Sequence, residues 1–137
     1  MLLEREKPMR SATRVLFAFV FLSLGAGLAA AASTESYSQV AFEAAQRAGK
    51  PILIDVTAPW CSTCRAQAPV LRELVSKPKF KDLQVFTVDF DSEKDALRLL
   101  RVQSQSTLIV FQGETEVGRS VGDTGKASIE ALLAKGF

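Results

Sequence analysis

Three short apolar runs constrain the fold of this chain more than any other feature of its sequence. They are Ile52–Thr57 (ILIDVT), Leu83–Phe90 (LQVFTVDF) and Thr107–Phe111 (TLIVF), and all are rich in β-branched or aromatic residues. Runs of this length and composition are typical of strands buried on both faces. Such strands belong to a sheet that has helices packed on each side. We therefore predict an α/β fold.

The segments around these runs show the apolar spacing of helices. One helix ends at Gly49-Lys50-Pro51, a second runs from Cys61 to about Ser76, and a third begins at Ser92, where Asp95 completes a capping-box pattern. A hairpin partner, Glu116–Val121, and a closing helix that carries Ile129, Leu132 and Leu133 follow the third strand. The order α-β-α-β-α-β-β-α predicts one domain, with a mostly parallel central sheet, an antiparallel edge hairpin and helices on both faces.

The first 32 residues differ from the rest in charge and hydropathy. Four of the 17 basic and two of the 15 acidic residues lie there; without them, residues 33–137 carry equal numbers of each, so the net charge of +2 belongs to the leader. A nucleic-acid partner is therefore not predicted. A basic start, the apolar run Val15–Ala32 and the alanines before Ser33 predict a signal peptide over residues 1–32, followed by a domain over 33–137.

An uncleaved membrane anchor is the alternative for the leader. The 18 residues of Val15–Ala32 would span roughly 27 Å as a helix, close to the ~30 Å thickness of a bilayer's hydrocarbon core. In both cases the domain is exported, and we predict a periplasmic location.

The residues that carry chemistry are the only two cysteines, in Trp60-Cys61-Ser62-Thr63-Cys64. They lie between the end of a buried strand and the start of a helix, where unpaired N–H groups stabilise a thiolate. Lowering a thiol pKa from about 8.5 to about 7 leaves it half ionised at neutral pH. We predict that Cys61, nearer the loop, is the nucleophile and that Cys64 resolves the mixed disulfide.

Other uses of the pair stay open. A structural disulfide closing so short a loop stabilises a protein by only roughly 2 kcal/mol. Zinc usually takes four ligands, whereas this chain has two cysteines and no histidine. Two inert thiols would tend to oxidise in an exported protein. We predict no metal site and no cofactor other than a redox-active disulfide between Cys61 and Cys64.

Two neighbouring residues are predicted to assist. Asp55 interrupts the first strand, where burial raises a carboxyl pKa, so it is expected to take the Cys64 proton through water. The alternative is a strand-end carboxylate that reaches solvent. Trp60 is expected to form part of the rim against which a substrate lies, with simple loop packing as the alternative.

Together these residues resemble the thioredoxin family. The likeness spans roughly Phe42 to Leu133 and is carried by the following residues: Asp55, Trp60–Cys64, Pro69, Val85–Phe90, Thr107–Phe111 and Gly122. Gly49-Lys50-Pro51 before the first strand resembles exported thioredoxin-like reductases, including the C-terminal domain of the membrane thiol:disulfide interchange protein. The resemblance implies a thioredoxin-like fold and a thiol–disulfide oxidoreductase in which Cys61 attacks, Cys64 resolves and Asp55 assists.

Two positions depart from the family pattern. Ser62-Thr63 between the cysteines matches neither the reducing nor the strongly oxidising members, so it does not indicate a redox potential. Ser106 stands where the family has a cis-proline, directly before Thr107. A cis bond before a non-proline residue costs ~2.5–4 kcal/mol, so we expect a trans bond. Ser106 and Thr107 are predicted to bind substrate, with the Ser106 backbone pairing in strand fashion.

We therefore predict a periplasmic protein-disulfide oxidoreductase, with reduction as the favoured direction. Its partners are protein disulfides and, because the compartment is oxidising, a membrane electron donor. One alternative is a thiol-based module that binds Cu(I) or a cluster shared between two chains, which the loss of the proline at Ser106 would permit. The other is an oxidase or isomerase of protein disulfides. A reduction potential of about −270 mV would indicate a reductant, and one of about −120 mV an oxidant.

Overall fold

The computed structural model describes residues 31–137. The predicted leader therefore lies outside the described residues, except for Ala31 and Ala32. Within this range no helix has the length and apolar character needed to cross a bilayer. The elements are, in chain order, β1 (Ser33–Ser36), α1 (Gln39–Arg47), β2 (Pro51–Thr57), α2 (Ser62–Val75), a 3₁₀ turn (Pro78–Phe80), β3 (Gln84–Asp89), α3 (Lys94–Leu99), β4 (Thr107–Gln112), β5 (Thr115–Val121) and α4 (Lys126–Ala134).

The strands form one sheet in the order β1-β3-β2-β4-β5. β3 runs parallel to β1 and β2, whereas β4 runs antiparallel to β2 and β5. The thioredoxin-like α/β fold is confirmed, but the prediction of a mostly parallel sheet is wrong at β4. The six-residue α3 rises about 9 Å, less than the about 20 Å of a six-residue strand. The connection nevertheless has 17 residues, enough to cross the sheet, and it is the strand register that shows β4 beginning at the end where β3 finishes, since Val56 pairs with both Val88 and Thr107.

Two local features differ from the sequence prediction. β1 was not predicted, because its four residues, STES, are all exposed and have no apolar pattern; main-chain pairing with β3 holds it in the sheet. At α3 the predicted capping box is wrong. The Ser92 N–H and hydroxyl both donate to Asp89 Oδ1 at 2.8 Å, and the helix begins at Lys94 without a side-chain cap.

Alternation along the strands divides the core into two faces. The aromatic face packs against α1 and α3 and consists of Phe42, Ala45, Ile52, Ile54, Val56, Phe86, Val88, Ala96, Leu97, Leu100, Ile109 and Phe111. The Asp55 face packs against α2 and α4, and its apolar members are Leu53, Leu71, Leu74, Phe80, Leu83, Val85, Leu108, Val110, Ile129, Leu132 and Leu133. Asp55 lies between Leu53 and Thr57 on β2, so strand alternation turns its side chain toward the second face.

Candidate active site

Cys61 and Cys64 lie where β2 gives way to α2, and their sulfurs form a disulfide. Cys61 is the N-cap residue of α2, and its Sγ accepts a hydrogen bond from the Cys64 N–H at 3.0 Å. This N–H is one of the donors that the start of a helix leaves unpaired. When the disulfide is reduced, the same donor and the helix dipole favour a thiolate at Cys61.

Burial does not distinguish the two sulfurs. Cys61 is 2% exposed and Cys64 6% exposed, and both pack with Ala58 and Phe90. Their places on the helix do differ, because Cys61 caps it whereas Cys64 lies within its first turn. The predicted roles of nucleophile and resolving thiol therefore rest on helix position.

Ser106 lies against the disulfide. Its Oγ is 3.1 Å from Cys61 Sγ and 3.0 Å from Cys64 Sγ. Residues 31–137 contain no cis peptide bond, so the bond before Ser106 is trans, as expected. The residue is buried, with a φ of 57°, which is a left-handed conformation that residues other than glycine rarely adopt.

The main-chain groups of Ser106, which were predicted to pair with substrate, are bonded within the fold, so that pairing stays a prediction. Its N–H donates to the Val56 carbonyl at 2.8 Å, and its own carbonyl accepts from the Gly122 N–H at 2.9 Å. Both main-chain groups are therefore used inside the fold. What Ser106 presents to the reacting atoms is its hydroxyl.

The predicted substrate contact of Thr107 stays a prediction, and the side chain itself is engaged inside the protein. Its side chain is buried, and Oγ1 donates to the Ser104 carbonyl at 2.7 Å. The residue begins β4 and pairs with Val56. Because its hydroxyl is satisfied within the turn that leads into β4, Thr107 shapes the loop that carries Ser106.

Trp60 is 56% exposed immediately before Cys61, which favours the rim role over loop packing. Its Nε1–H donates to Asp91 Oδ2 at 2.8 Å. The sequence reasoning missed Asp91, although one signal was available. β2 and β3 are parallel, so residues just after their carboxyl ends meet at one edge of the sheet. The loop itself is tied to α2, because Arg65 Nη1 donates to the Pro59 carbonyl at 3.3 Å.

Asp55 is half-buried, and burial raises its pKa from 3.8 to about 6. Its carboxyl lines a cavity of about 130 Å³, to which α2 contributes Ala68, Leu71, Arg72 and Val75. A water occupies about 30 Å³, so the cavity has room for a few. Cys64 precedes Ala68 by one helical turn on the same side of α2. The carboxyl thus lies on the side of the helix that carries Cys64.

Within residues 31–137 no three or more His, Cys, Asp or Glu side chains are grouped so that they could hold a metal ion.

The matches to known proteins agree with this geometry. The family model described as Thioredoxin matches residues 33–135. The thioredoxin of Mycobacterium bovis is 40% identical over 80 residues, which cover 58% of this chain and 68% of that protein. A bifunctional thioredoxin reductase/thioredoxin of Mycobacterium leprae is 41% identical over 80 residues, but these cover only 17% of that protein. The crystal structure of Trxlp from Edwardsiella tarda superposes with a TM-score of 0.72 and 44% identity, covering 74% of this chain and 98% of that one.

Proposed function

This chain belongs to the thioredoxin family, and we propose that it reduces the disulfide bonds of exported proteins. It is a thioredoxin-like oxidoreductase whose dithiol–disulfide couple is Cys61 and Cys64. The observation that carries the proposal is the position of Cys61 Sγ at the start of α2, where it accepts the Cys64 N–H. That hydrogen bond stabilises the Cys61 thiolate, which is the nucleophile that disulfide exchange needs.

The reductive cycle follows from the placement of the groups. Cys61 thiolate attacks a substrate disulfide, a mixed disulfide forms, and one substrate sulfur leaves as a thiolate. Cys64 then loses its proton, attacks Cys61 Sγ and releases the second substrate sulfur. Asp55 is suited to receive the Cys64 proton through water, because its pKa of about 6 leaves it largely ionised at neutral pH yet far more basic than an exposed carboxylate.

Insulin reduction tests the activity and its direction. We expect the dithiol form to precipitate the insulin B chain, with a reduction potential near the reductant's value of about −270 mV. Cys61→Ser should abolish turnover. Cys64→Ser should also stop turnover but accumulate a mixed disulfide through Cys61, visible by mass spectrometry. A potential near about −120 mV would reject the reductive direction, and a mixed disulfide through Cys64 in Cys61→Ser would reverse the two roles.

Export and a membrane electron donor complete the proposal. The basic start and apolar run of residues 1–32 support export. An exported reductant works in an oxidising compartment, so electrons must reach it across the membrane. Expression of the full chain in a Gram-negative host, followed by fractionation and N-terminal sequencing, tests this. A periplasmic product that starts at Ser33 supports export with cleavage, an uncut membrane-bound product supports an anchor, and an uncut cytoplasmic product contradicts export.

A further inference from the structure

The contacts of Ser106 Oγ suggest more than packing. A hydroxyl has a single hydrogen to donate, yet this one lies within about 0.1 Å of the same distance from both sulfurs, at 3.1 and 3.0 Å. The backbone of Ser106 is fully engaged elsewhere, and the residue is 2% exposed. The hydroxyl is therefore held in a fixed place between the two reacting atoms, with freedom only to rotate its hydrogen.

We propose that the Ser106 hydroxyl is a catalytic group that donates its hydrogen bond to whichever of Cys61 and Cys64 carries the negative charge. The inference deepens the proposed function, on whose dithiol chemistry it rests. In the resting dithiol, Ser106 donates to the Cys61 thiolate and accepts from the Cys64 S–H. Cys61 then has two donors, the Cys64 N–H and the Ser106 hydroxyl.

The same hydroxyl serves the second half of the cycle. After Cys61 bonds to the substrate sulfur, the first leaving sulfur departs with the electron pair of the broken bond and Cys61 is neutral. Cys64 then gives its proton to water on the path toward Asp55, and the Ser106 hydroxyl rotates toward the Cys64 thiolate. Attack of Cys64 on Cys61 Sγ restores the disulfide and expels the second substrate sulfur with its electron pair. A rotating hydroxyl is suited to this exchange because it is both donor and acceptor.

The backbone at Ser106 is consistent with a functional position. A non-glycine residue at a φ of 57° is held in a conformation that is unfavourable for it, and such residues concentrate at active sites. Glycine would adopt this φ without strain, but it has no hydroxyl. The chain thus has a serine at a position where the backbone conformation by itself favours glycine.

No charged side chain contacts either sulfur among the described residues. The polar contacts of the sulfurs are with the Cys64 N–H, the Ser106 hydroxyl and, at 4.0 Å, the Val56 carbonyl. Charged groups near the site are Asp55 on β2, Arg65 on α2, Asp91 after β3 and Lys94 on α3, whose Nζ lies 4.7 Å from the centre of the Phe90 ring. Substituting Ser106 leaves all four in place, so a change in the ionisation of Cys61 is due to loss of the hydroxyl.

Alkylation of the reduced protein by iodoacetamide across pH tests the proposal, with mass spectrometry to identify the modified cysteine. Two variants remove the hydroxyl but differ in backbone strain: Ser106→Ala retains the strain and Ser106→Gly relieves it. In both we expect the midpoint for Cys61 to rise by about one pH unit, a tenfold loss in its ionisation constant, since a hydrogen bond to a charged group contributes about that much. Ser104→Ala, which removes a hydroxyl from the same loop away from the sulfurs, should leave the midpoint unchanged.

A second readout follows the Cys64 step. Release of substrate from a preformed mixed disulfide on Cys61 should slow several-fold in both Ser106 variants. Thermal melting checks that the variants fold. Ser106→Gly is expected to fold, because glycine adopts this φ without strain. Unchanged midpoints in folded Ser106→Ala and Ser106→Gly would overturn the proposal. A shift in only one of the two variants would also overturn it, because backbone strain rather than the lost hydroxyl would then explain the change. If Cys61 of the parent protein ionises like a free thiol, the proposed function itself fails; if it ionises readily and the variants match it, only the role of Ser106 fails.

Discussion

The two faces of the sheet use the same central strands, but only one of them carries chemistry. On the aromatic face the buried positions are apolar except for Thr107 at the start of β4, and Phe42 lies edge-on to Phe86 and Phe111 at centroid distances of 6.0 and 5.2 Å. On the Asp55 face one strand position holds a carboxyl beside a cavity of about 130 Å³. The first face is almost wholly apolar, whereas the second gives up apolar burial at one position for a carboxyl on the side of α2 that carries Cys64. Because neighbouring residues of β2 point to opposite faces, Ile54 packs in the apolar face and Asp55 lies in the face that carries the carboxyl.

The largest expected effect on the free energy of unfolding comes from a substitution in the aromatic face. Phe86 is fully buried and contacts the rings of Tyr37 and Phe42. Phe86→Ala should lower the free energy of unfolding by about 3–5 kcal/mol, because it removes apolar burial and leaves a cavity. Urea denaturation measures this, and the alkylation midpoint of Cys61 should not move. Val40→Ala, at a position 76% exposed, is the matched control and should change stability by less than about 0.5 kcal/mol. A loss below about 1 kcal/mol in Phe86→Ala would contradict this account of the face.

The next largest effect is an increase in the free energy of unfolding, and it comes from a substitution on the Asp55 face. The folded protein keeps the Asp55 proton up to about pH 6, whereas an ordinary Asp releases it near 3.8. The folded state therefore binds more protons between these values, and the wild-type protein loses stability as pH rises through this window. Asp55→Asn should be more stable at pH 8 by about 3 kcal/mol, at about 1.4 kcal/mol per pKa unit, and the difference should vanish below about pH 4.

Urea denaturation at several pH values measures this difference, with Asp82→Asn as an exposed control that should change little. Asp55→Asn should also slow substrate release at the Cys64 step near neutral pH. A variant that is less stable at pH 8, or equally more stable at pH 3 and pH 8, would show that burial of the charge is not the cause.

The smallest effect concerns the rim of the site, outside both faces. Trp60→Phe keeps an aromatic ring but removes the donor to Asp91. Because Trp60 is largely exposed, stability should change by less than about 0.5 kcal/mol. Freeing the ring should raise KM for a protein disulfide roughly fivefold, the equivalent of one hydrogen bond of about 1 kcal/mol, with little effect on kcat. Asp91→Ala should match it, and the double variant should be no worse than either. Additive effects would show that the contact with Asp91 does not position the ring.

The elements that side-chain patterns determine were predicted well. β2 and β4 are apolar runs that had to be buried, and the cysteine pair had to lie at the junction of a strand and a helix. Elements held by main-chain contacts were not predicted. β1 has four exposed polar residues and is in the sheet only because β3 offers its hydrogen-bonding edge. The direction of β4 depends on the path of the connection through α3, and the spacing of apolar residues in the sequence does not predict that path.

The site divides in the same way. Asp55 and the two cysteines were identified because their residue types are informative at those places in the chain. The substrate contacts of Ser106 and Thr107 stay predictions, and the sequence does not reveal that the Ser106 backbone is bonded to Val56 and Gly122. A serine was read as a missing proline, and its hydroxyl was overlooked.

Local sequence alone determined the buried strands of this protein, the thiol at the start of a helix and the carboxyl on a buried strand. These follow from residue type and from contacts a few residues along the chain. The tertiary structure alone decided which groups meet across 31 to 45 residues: Trp60 with Asp91, and Ser106 with Cys61. The physical reason is that such contacts depend on how strands and loops are placed relative to one another, and packing of the whole core fixes that placement.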